Sequence, residues 1–384
     1  MSKSCIGNCI ICGKCAKSPI LESFVLTGQT EPREGHGIAV DIGTTTVVMV
    51  LLHLSSGSIV ARHSFMNPQR KFGADVISRI DAANKGHLDE MCCMIIKDIE
   101  KGIDKFIRSQ NLRQESIVGM VVAGNTAMTH ILLGFTCESL GVSPFKPVHK
   151  LMEKYTYSCI YKTPEIKCDL HILPWLGGFV GGDITAGLLQ VLPMGANRFI
   201  LIDLGTNGEM ALFDNGRLFV AGTAAGPAFE SGQADDGASG TINRLAQLVR
   251  QGDIDETGLL ESDSIFTQEQ IRNIQLAKSA IRSGLEILLE ISGLSYDDID
   301  AVYLAGGIGQ AIHVDDAAAI GLIPHELAVK TEAVGNASLG GAALMLLAPL
   351  WARDEVVKLL SDVSEVNLAT HPRFNEYFMD FMSF

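Results

Sequence analysis

No apolar run in this chain is long enough to cross a membrane. The most apolar stretch, Ala337 to Trp351, is rich in glycine and alanine and falls short of the roughly 18 residues a span needs. Basic residues are also scarce. The 30 Lys and Arg against 44 Asp and Glu leave a formal charge of −14, with no basic cluster to meet a phosphate backbone, which argues against a nucleic-acid partner. The chain does not open on a basic stub followed by an apolar segment, so no secretory signal is expected and the cytoplasm is the default compartment. Low-complexity tracts are missing too. What is present is an ample core: 47% of the 384 residues are hydrophobic, and that length predicts two or more domains.

One hairpin is written twice. Gly37 to Leu52 read GIAVDIGTTTVVMVLL, and Arg198 to Phe213 read RFILIDLGTNGEMALF. In each, an apolar strand ends in Asp, a Gly-Thr turn follows and a second apolar strand departs. A further turn and strand succeed both, at Ser56 to Ala61 and at Asn215 to Val220. Gly43 and Gly205 lack a Cβ, so backbone N–H groups can approach an anion closely. Thr44, Thr45, Thr46 and Thr206 add hydroxyl donors, with Asn207 beside the second set, and such clusters form phosphate-sized concavities. Asp41 and Asp203 at the strand ends would oppose phosphate unless a cation lay between, which points to Mg²⁺ held partly through water. A single such turn would be an ordinary hairpin; two in matched settings predict a duplicated α/β domain gripping a nucleotide.

Four of nine cysteines, Cys5, Cys9, Cys12 and Cys15, fall in the spacing C-x3-C-x2-C-x2-C. So dense a set without a signal sequence reads as metal binding rather than disulfides. Zinc knuckles more often use two separated pairs, whereas short continuous spacing wraps a [4Fe–4S] cubane. The cubane is the favoured reading; zinc or an unmetallated arm remain open. Cys92, Cys93, Cys137, Cys159 and Cys168 lack ligand spacing and are expected to be buried structural thiols.

The chain is therefore divided into an iron–sulfur arm (1–17), a linker (18–36), a first lobe (37–196) and a second lobe with a C-terminal helical tail (197–384). Helical spacing is expected over Asp75 to Asn84, Leu88 to Gln110, Gly177 to Val191, Gln268 to Ile291 and Val334 to Leu347. Ile117 to Ala123 is a buried strand that delivers Asn125 to a cleft-facing position. Asp183, after a glycine turn, is either a helix N-cap or a carboxylate that orients a water on the γ-phosphate. Leu304 to Gln310 (LAGGIGQ) is a strand running into a glycine turn, and Gly306 and Gly307 would let a flat base lie on the backbone. Gln275, Lys278, Ser279 and Arg282 share one helix face, which is either a solvated polar stripe or the far side of an adenosine clamp.

With these residues in view, the chain resembles the actin, sugar-kinase and Hsp70-like (ASKHA) superfamily. Asp41-Ile42-Gly43-Thr44 matches its first phosphate motif, Asp203-Leu204-Gly205-Thr206 its second, and Leu304 to Gln310 its adenosine motif. Within it, the chain is most similar to the ATP-dependent reductive activators of corrinoid proteins, from about Gly37 nearly to the C-terminus. The likeness rests on Asn67-Pro68-Gln69 with Phe72-Gly73-Ala74-Asp75, on Gly124-Asn125-Thr126, Asp203 to Glu209, Ala224 to Glu230, Gly321 to Pro324, and Val334 to Ser338. The resemblance implies two RNase H-like lobes with ATP between them and Mg²⁺ on Asp41 and Asp203. It implies reduction of a partner's Co(II) corrinoid to Co(I), with electrons passing from a ferredoxin-like donor through the cysteine-bound cluster. Family analogy alone points to a homodimer. Two departures stand out. Better-known relatives carry a larger ferredoxin-like domain, and Ser231 to Leu245 lacks the Gly-Met-Arg-Ala sequence of the family. The alternatives are an activator of another low-potential enzyme (2-hydroxyacyl-CoA dehydratase-like or double-cubane-cluster), or a small-molecule kinase or nucleotide sensor with a zinc arm.

Overall fold

The computed structural model describes residues 30–148, 153–156, 168–205, 207–223, 228–229, 237–260, 266–309 and 312–384. The four arm cysteines, Cys159, Thr206 and Gln310 lie outside the described residues. In chain order the strands are β1 (His36–Ile42), β2 (Thr46–His53), β3 (Ser58–Met66), β4 (Ile117–Gly124), β5 (Glu153–Thr156), β6 (Asp169–Ile172), β7 (Arg198–Leu204), β8 (Gly208–Asp214), β9 (Arg217–Thr223), β10 (Ala301–Ala305), β11 (Thr331–Gly335) and β12 (Val363–Glu365). The longer α-helices are α1 (Val76–Ala82), α2 (Leu88–Ser109), α3 (Thr126–Leu133), α4 (Gly182–Val191), α5 (Gly237–Gln251), α6 (Gln268–Ser292), α7 (Ala337–Leu347), α8 (Pro349–Ser361) and α9 (Phe374–Asp380).

Two compact units result. One holds the described residues between 30 and 195 together with Asn336–Ser361; the other holds those of Ala196–Gly335 with Asp362–Phe384. The sheet of the first has the order β3-β2-β1-β4-β6-β5, and that of the second β11-β10-β7-β8-β9-β12. Three antiparallel strands, then two parallel ones, make the same five-stranded core twice; the sixth strand differs, β5 lying antiparallel beside β6 in the first sheet and β12 parallel beside β9, at the opposite edge, in the second. The register repeats as well: Asp41 lies opposite Ala123 across β1 and β4, and Asp203 opposite Ala305 across β7 and β10. Glycine follows in both cases, Gly124 in one and Gly306 in the other. These are the duplicated RNase H-like lobes expected of the α/β superfamily.

In the first unit, β1 and β2 are apolar at nearly every position because both sheet faces are covered. Successive side chains alternate between the faces. Ile38, Val40, Ile42, Met49 and Leu51 join Ile95, Ile99 and Phe106 of α2 in one core. Ala39, Val48, Val50 and Leu52 join Ala186, Leu189, Leu339, Ala342 and Leu346 of α4 and α7 in the other. Helix α2 buries Met91, Ile95, Ile99, Ile103 and Phe106 on one stripe, as the helical period requires. In the second unit, α6 buries Ile271, Ile274, Ile281, Leu285 and Leu288 and packs against β8 and β9.

Some elements begin later than the apolar pattern predicts. Residues 177–181 form a loop and α4 starts at Gly182, while Val334 lies in β11 and α7 starts at Ala337, capped by the Asn336 side chain. Cys137 and Cys168 are buried, and burial pushes their thiols up to about 11 and about 12. Cys93 is exposed and Cys92 half-buried, so those two are surface thiols on α2 rather than core ones.

The α4–α7 pair sets a strict steric limit. A Cβ at Gly341 would lie 1.8 Å from the Ala186 carbonyl oxygen. Gly341→Ala should therefore destabilise the protein by about 1–3 kcal/mol through overpacking. Urea unfolding of the variant checks this.

Candidate functional site

The β1–β2 turn, Gly43 to Thr45, is held from behind. The Gly43 N–H donates to the Thr46 carbonyl at 3.1 Å, closing the turn. Asn67 Nδ2 donates to the Gly43 carbonyl at 2.9 Å, and the Asn67 N–H to the Thr45 carbonyl at 2.9 Å. Arg79 Nη2 donates to the Thr44 carbonyl at 2.6 Å. Asn125 Nδ2 donates to Thr44 Oγ1 at 3.1 Å, while its Oδ1 caps α3 by accepting from the Met128 N–H. Three consecutive carbonyls, those of Gly43, Thr44 and Thr45, are thus engaged by Asn67 and Arg79. Each trans peptide places its N–H opposite the engaged C=O.

Two carboxylates belong to the same unit. Asp41 accepts from Asn336 Nδ2 at 2.8 Å and from Ser338 Oγ at 2.7 Å. Asp183 sits in the first turn of α4, where Gly181 is the N-cap residue, and its Oδ1 accepts from the Ile184 N–H at 2.9 Å. It is therefore not the helix cap. Gly181 lies so close to Asn125 that a Cβ would approach the Asn125 Cα to 2.5 Å, which keeps the start of α4 against the end of β4. Burial raises the Asp41 carboxyl despite its two hydrogen bonds. Burial, and then the charge of Asp41, raise Asp183 to about 7. The charge of Asp41 thus acts on the Asp183 carboxyl, and both acids are enclosed in the same unit.

In the second unit the Gly205 N–H donates to the Asn207 carbonyl at 3.0 Å, closing a turn one residue shorter than the Gly43–Thr46 one. Gly306 has φ +83°, and a Cβ there would lie 2.4 Å from Asp203 Oδ1. The glycine turn after β10 therefore abuts Asp203, and only glycine satisfies both the left-handed backbone and the close approach. Gly307 is half-buried in the short helix that follows.

The face of α6 carrying Gln275, Lys278, Ser279 and Arg282 is covered by the chain's own C-terminal segment. Gln275 Nε2 donates to the carbonyls of Thr257 and Met382, each at 3.0 Å. Lys278 Nζ donates to the Ser383 carbonyl and lies 5.0 Å from the Phe384 ring centroid. Ser279 Oγ donates to the Phe378 carbonyl. Arg282 pairs with Glu286 at 2.8 Å and stacks 4.6 Å from the Phe381 ring centroid. Gln275, Lys278 and Ser279 are all buried, so this stripe is not solvated.

The residues that sequence reasoning left without a role are Asn67, Arg79, Asn336 and Ser338. Arg79 carries a readable signal, a cation at the core-facing spacing of Val76, Arg79 and Ile80 on α1. Asn336 and Ser338 lie in a segment that carries the family likeness, but nothing local ties them to Asp41 across 295 and 297 residues.

Burial, aided by the charge of Arg282, pushes the Lys278 ammonium down to about 7 from an ordinary 10.5. The unfolded chain then binds more protons than the folded one between those values, so stability rises with pH across that window and falls as pH drops through about 7. Thermal melts from pH 7 to 9 should show that rise, and Lys278→Met should flatten it.

Comparison with known proteins gives one consistent family. Residues 36–193 match the model described as the RACo middle region, and residues 197–247 and 253–384 match the C-terminal domain of RACo, the ASKHA domain. The chain is 31% identical to the corrinoid activation enzyme RamQ of Eubacterium limosum, over 90% of this chain and 69% of that protein. It is 23% identical to a Methanosarcina barkeri reductase of Co(II) methylated amine-specific corrinoid protein, over 91% of this chain and 77% of the relative. A solved structure described as a reductive activator for corrinoid, iron–sulfur protein superposes with a TM-score of 0.80 at 28% identity, covering 93% of this chain and 67% of its own. With its two repeated strand–turn units and a match to both domain models, the chain belongs to the RACo family of reductive activators of corrinoid proteins.

Proposed function

We propose that this protein uses ATP to drive the one-electron reduction of a partner protein's corrinoid cobalt from Co(II) to Co(I), with Cys5, Cys9, Cys12 and Cys15 holding a [4Fe–4S] cluster. The observation that carries the reading is the duplicated turn, Asp41 to Thr46 and Asp203 to Asn207, in a chain whose relatives are named for corrinoid activation. Bound ATP–Mg²⁺ would supply hydrolysis free energy, and the cluster a one-electron carrier. The chain's own residues do the rest. The Gly43–Thr46 and Gly205–Asn207 turns grip phosphate oxygens with backbone N–H groups. Asp41 and Asp203 would hold Mg²⁺ through its waters, and Asp183 orients the attacking water and accepts its proton. Asn125 fixes the Thr44 hydroxyl, and Gly306 and Gly307 bear the base.

Magnitudes say why ATP is needed. A one-electron transfer loses about a factor of ten per 59 mV, so an acceptor about 300 mV below its donor is disfavoured by roughly 10⁵. Nucleotide state and partner docking must favour the productive state differentially, since equal affinity for both states shifts nothing. A ferredoxin-like donor, a cytoplasmic setting and a homodimer complete the proposal. The four-cysteine donor set, all thiolates at short spacing, supports the cubane over zinc.

Anaerobically purified protein should carry about four irons and four sulfides per chain and give a reduced-cubane EPR signal. Asp41→Asn and Asp203→Asn should each lower corrinoid-protein-stimulated ATP hydrolysis by about a hundredfold or more without changing iron content. Zinc in place of iron would dismiss the electron-carrier role, and unimpaired hydrolysis in both variants would dismiss the nucleotide site.

A further inference from the structure

Arg79 is the largest fully buried side chain among the described residues, at 0% exposure. Its three hydrogen bonds go to the Thr44 carbonyl at 2.6 Å, the Gly73 carbonyl at 3.1 Å and Met128 Sδ at 3.1 Å. None goes to a carboxylate. A buried cation normally has an anionic partner, because taking an unpaired charge out of water costs several kcal/mol. The nearest carboxylate interaction is with Asp75, and Asp75 is spent capping α1, accepting from the N–H and hydroxyl of Ser78 at 2.8 Å each. Burial pushes the guanidinium down to about 10, with the charge of Arg70 adding to the effect and Asp75 opposing it. The side chain is therefore charged at neutral pH and under-compensated.

Its position gives that charge a use. The acceptor is the carbonyl of the Thr44–Thr45 peptide, in the middle of the first phosphate-type turn. Pulling on that oxygen fixes the peptide plane and polarises its N–H, which a trans peptide places on the opposite side. Asn67 does the same for the Gly43 carbonyl. Gly73, whose carbonyl accepts from Arg79 Nε, packs so tightly that a Cβ would meet the Ser78 Cβ at 2.4 Å. The Asn67 to Arg79 segment thus backs the turn and ends in a buried cation bonded to the Thr44 carbonyl.

We propose that Arg79 is a positioning residue for nucleotide binding, the buried counter-charge of the first phosphate turn, acting through the Thr44–Thr45 peptide on the polyphosphate of ATP. The proposal rests on the reading of this turn as a phosphate site. It predicts discrimination between ligands with and without phosphates, and opposite effects from its two charged residues. Asp75→Asn keeps a competent N-cap while removing the charge that offsets Arg79.

The test is equilibrium titration of the purified full-length protein with Mg-ATP, and with adenosine in competition, alongside thermal melts. Arg79→Met should weaken Mg-ATP binding by about tenfold to a hundredfold, the range of a hydrogen bond from a charged donor. Adenosine affinity should change by less than about twofold, within the error of uninvolved contacts. Arg79→Lys, which keeps the charge, should recover part of the loss. Asp75→Asn should tighten Mg-ATP by about threefold, as expected for removing one partly screened charge. If Arg79→Met does not fold, Asp75→Asn carries the test alone, and unchanged affinity in it overturns the proposal. Equal losses for ATP and adenosine in a folded Arg79→Met would reduce Arg79 to a structural residue. Wild-type protein that binds no Mg-ATP would overturn the phosphate-site reading itself; wild-type binding with unchanged variants overturns only the role of Arg79.

Discussion

The first Gly-Thr turn can serve an anion only if its carbonyls are engaged elsewhere. Three carbonyls in succession would otherwise meet any phosphate with negative ends forward. Asn67 and Arg79 engage them from behind, and that requirement organises much of the first unit. It explains why a 3₁₀ turn opening Asn67-Pro68-Gln69 leads directly into a capped helix, and why that helix places a cation on its apolar side. It also explains why α3 is capped by Asn125, the residue that reaches back to the Thr44 hydroxyl.

The same logic extends to the acids. Asp41 is enclosed and kept in place by Asn336 and Ser338 at the head of α7, and Asp183 rides on the first turn of α4. The tight glycine contact between α4 and α7 therefore does more than fill space. It ties together two helices whose starts carry the Asp183 carboxyl in one case and the donors to Asp41 in the other, so core packing and the placement of these acids are one problem.

Much of the fold was legible, because duplication is a strong signal. Two copies of strand, Asp, glycine turn and strand specify two sheets of like order, and the superfamily resemblance followed from them. Element starts were less legible at Gly182 and Ala337, where small apolar residues continue the helical pattern into a loop and a strand end without any composition change. In the first unit, the turn residues and both acids stand out in the sequence by type and position, whereas the bonds of Asn336 and Ser338 to Asp41 span nearly 300 residues and cannot be read from local spacing. The polar stripe on α6 shows the opposite limit. Its spacing was read correctly, but a stripe cannot say what covers it, and here the cover is Phe378, Phe381 and Phe384 of the same chain.

The most direct test of the account is to follow cobalt spectroscopically on a Co(II) corrinoid protein mixed anaerobically with this protein and a low-potential electron donor. The trace should be recorded with Mg-ATP, with a non-hydrolysable analogue and without nucleotide. The account predicts Co(I) accumulation only when hydrolysable ATP is present. Equal Co(I) formation in all three mixtures would contradict it, because nucleotide binding and turnover would then contribute nothing to the electron's descent onto cobalt.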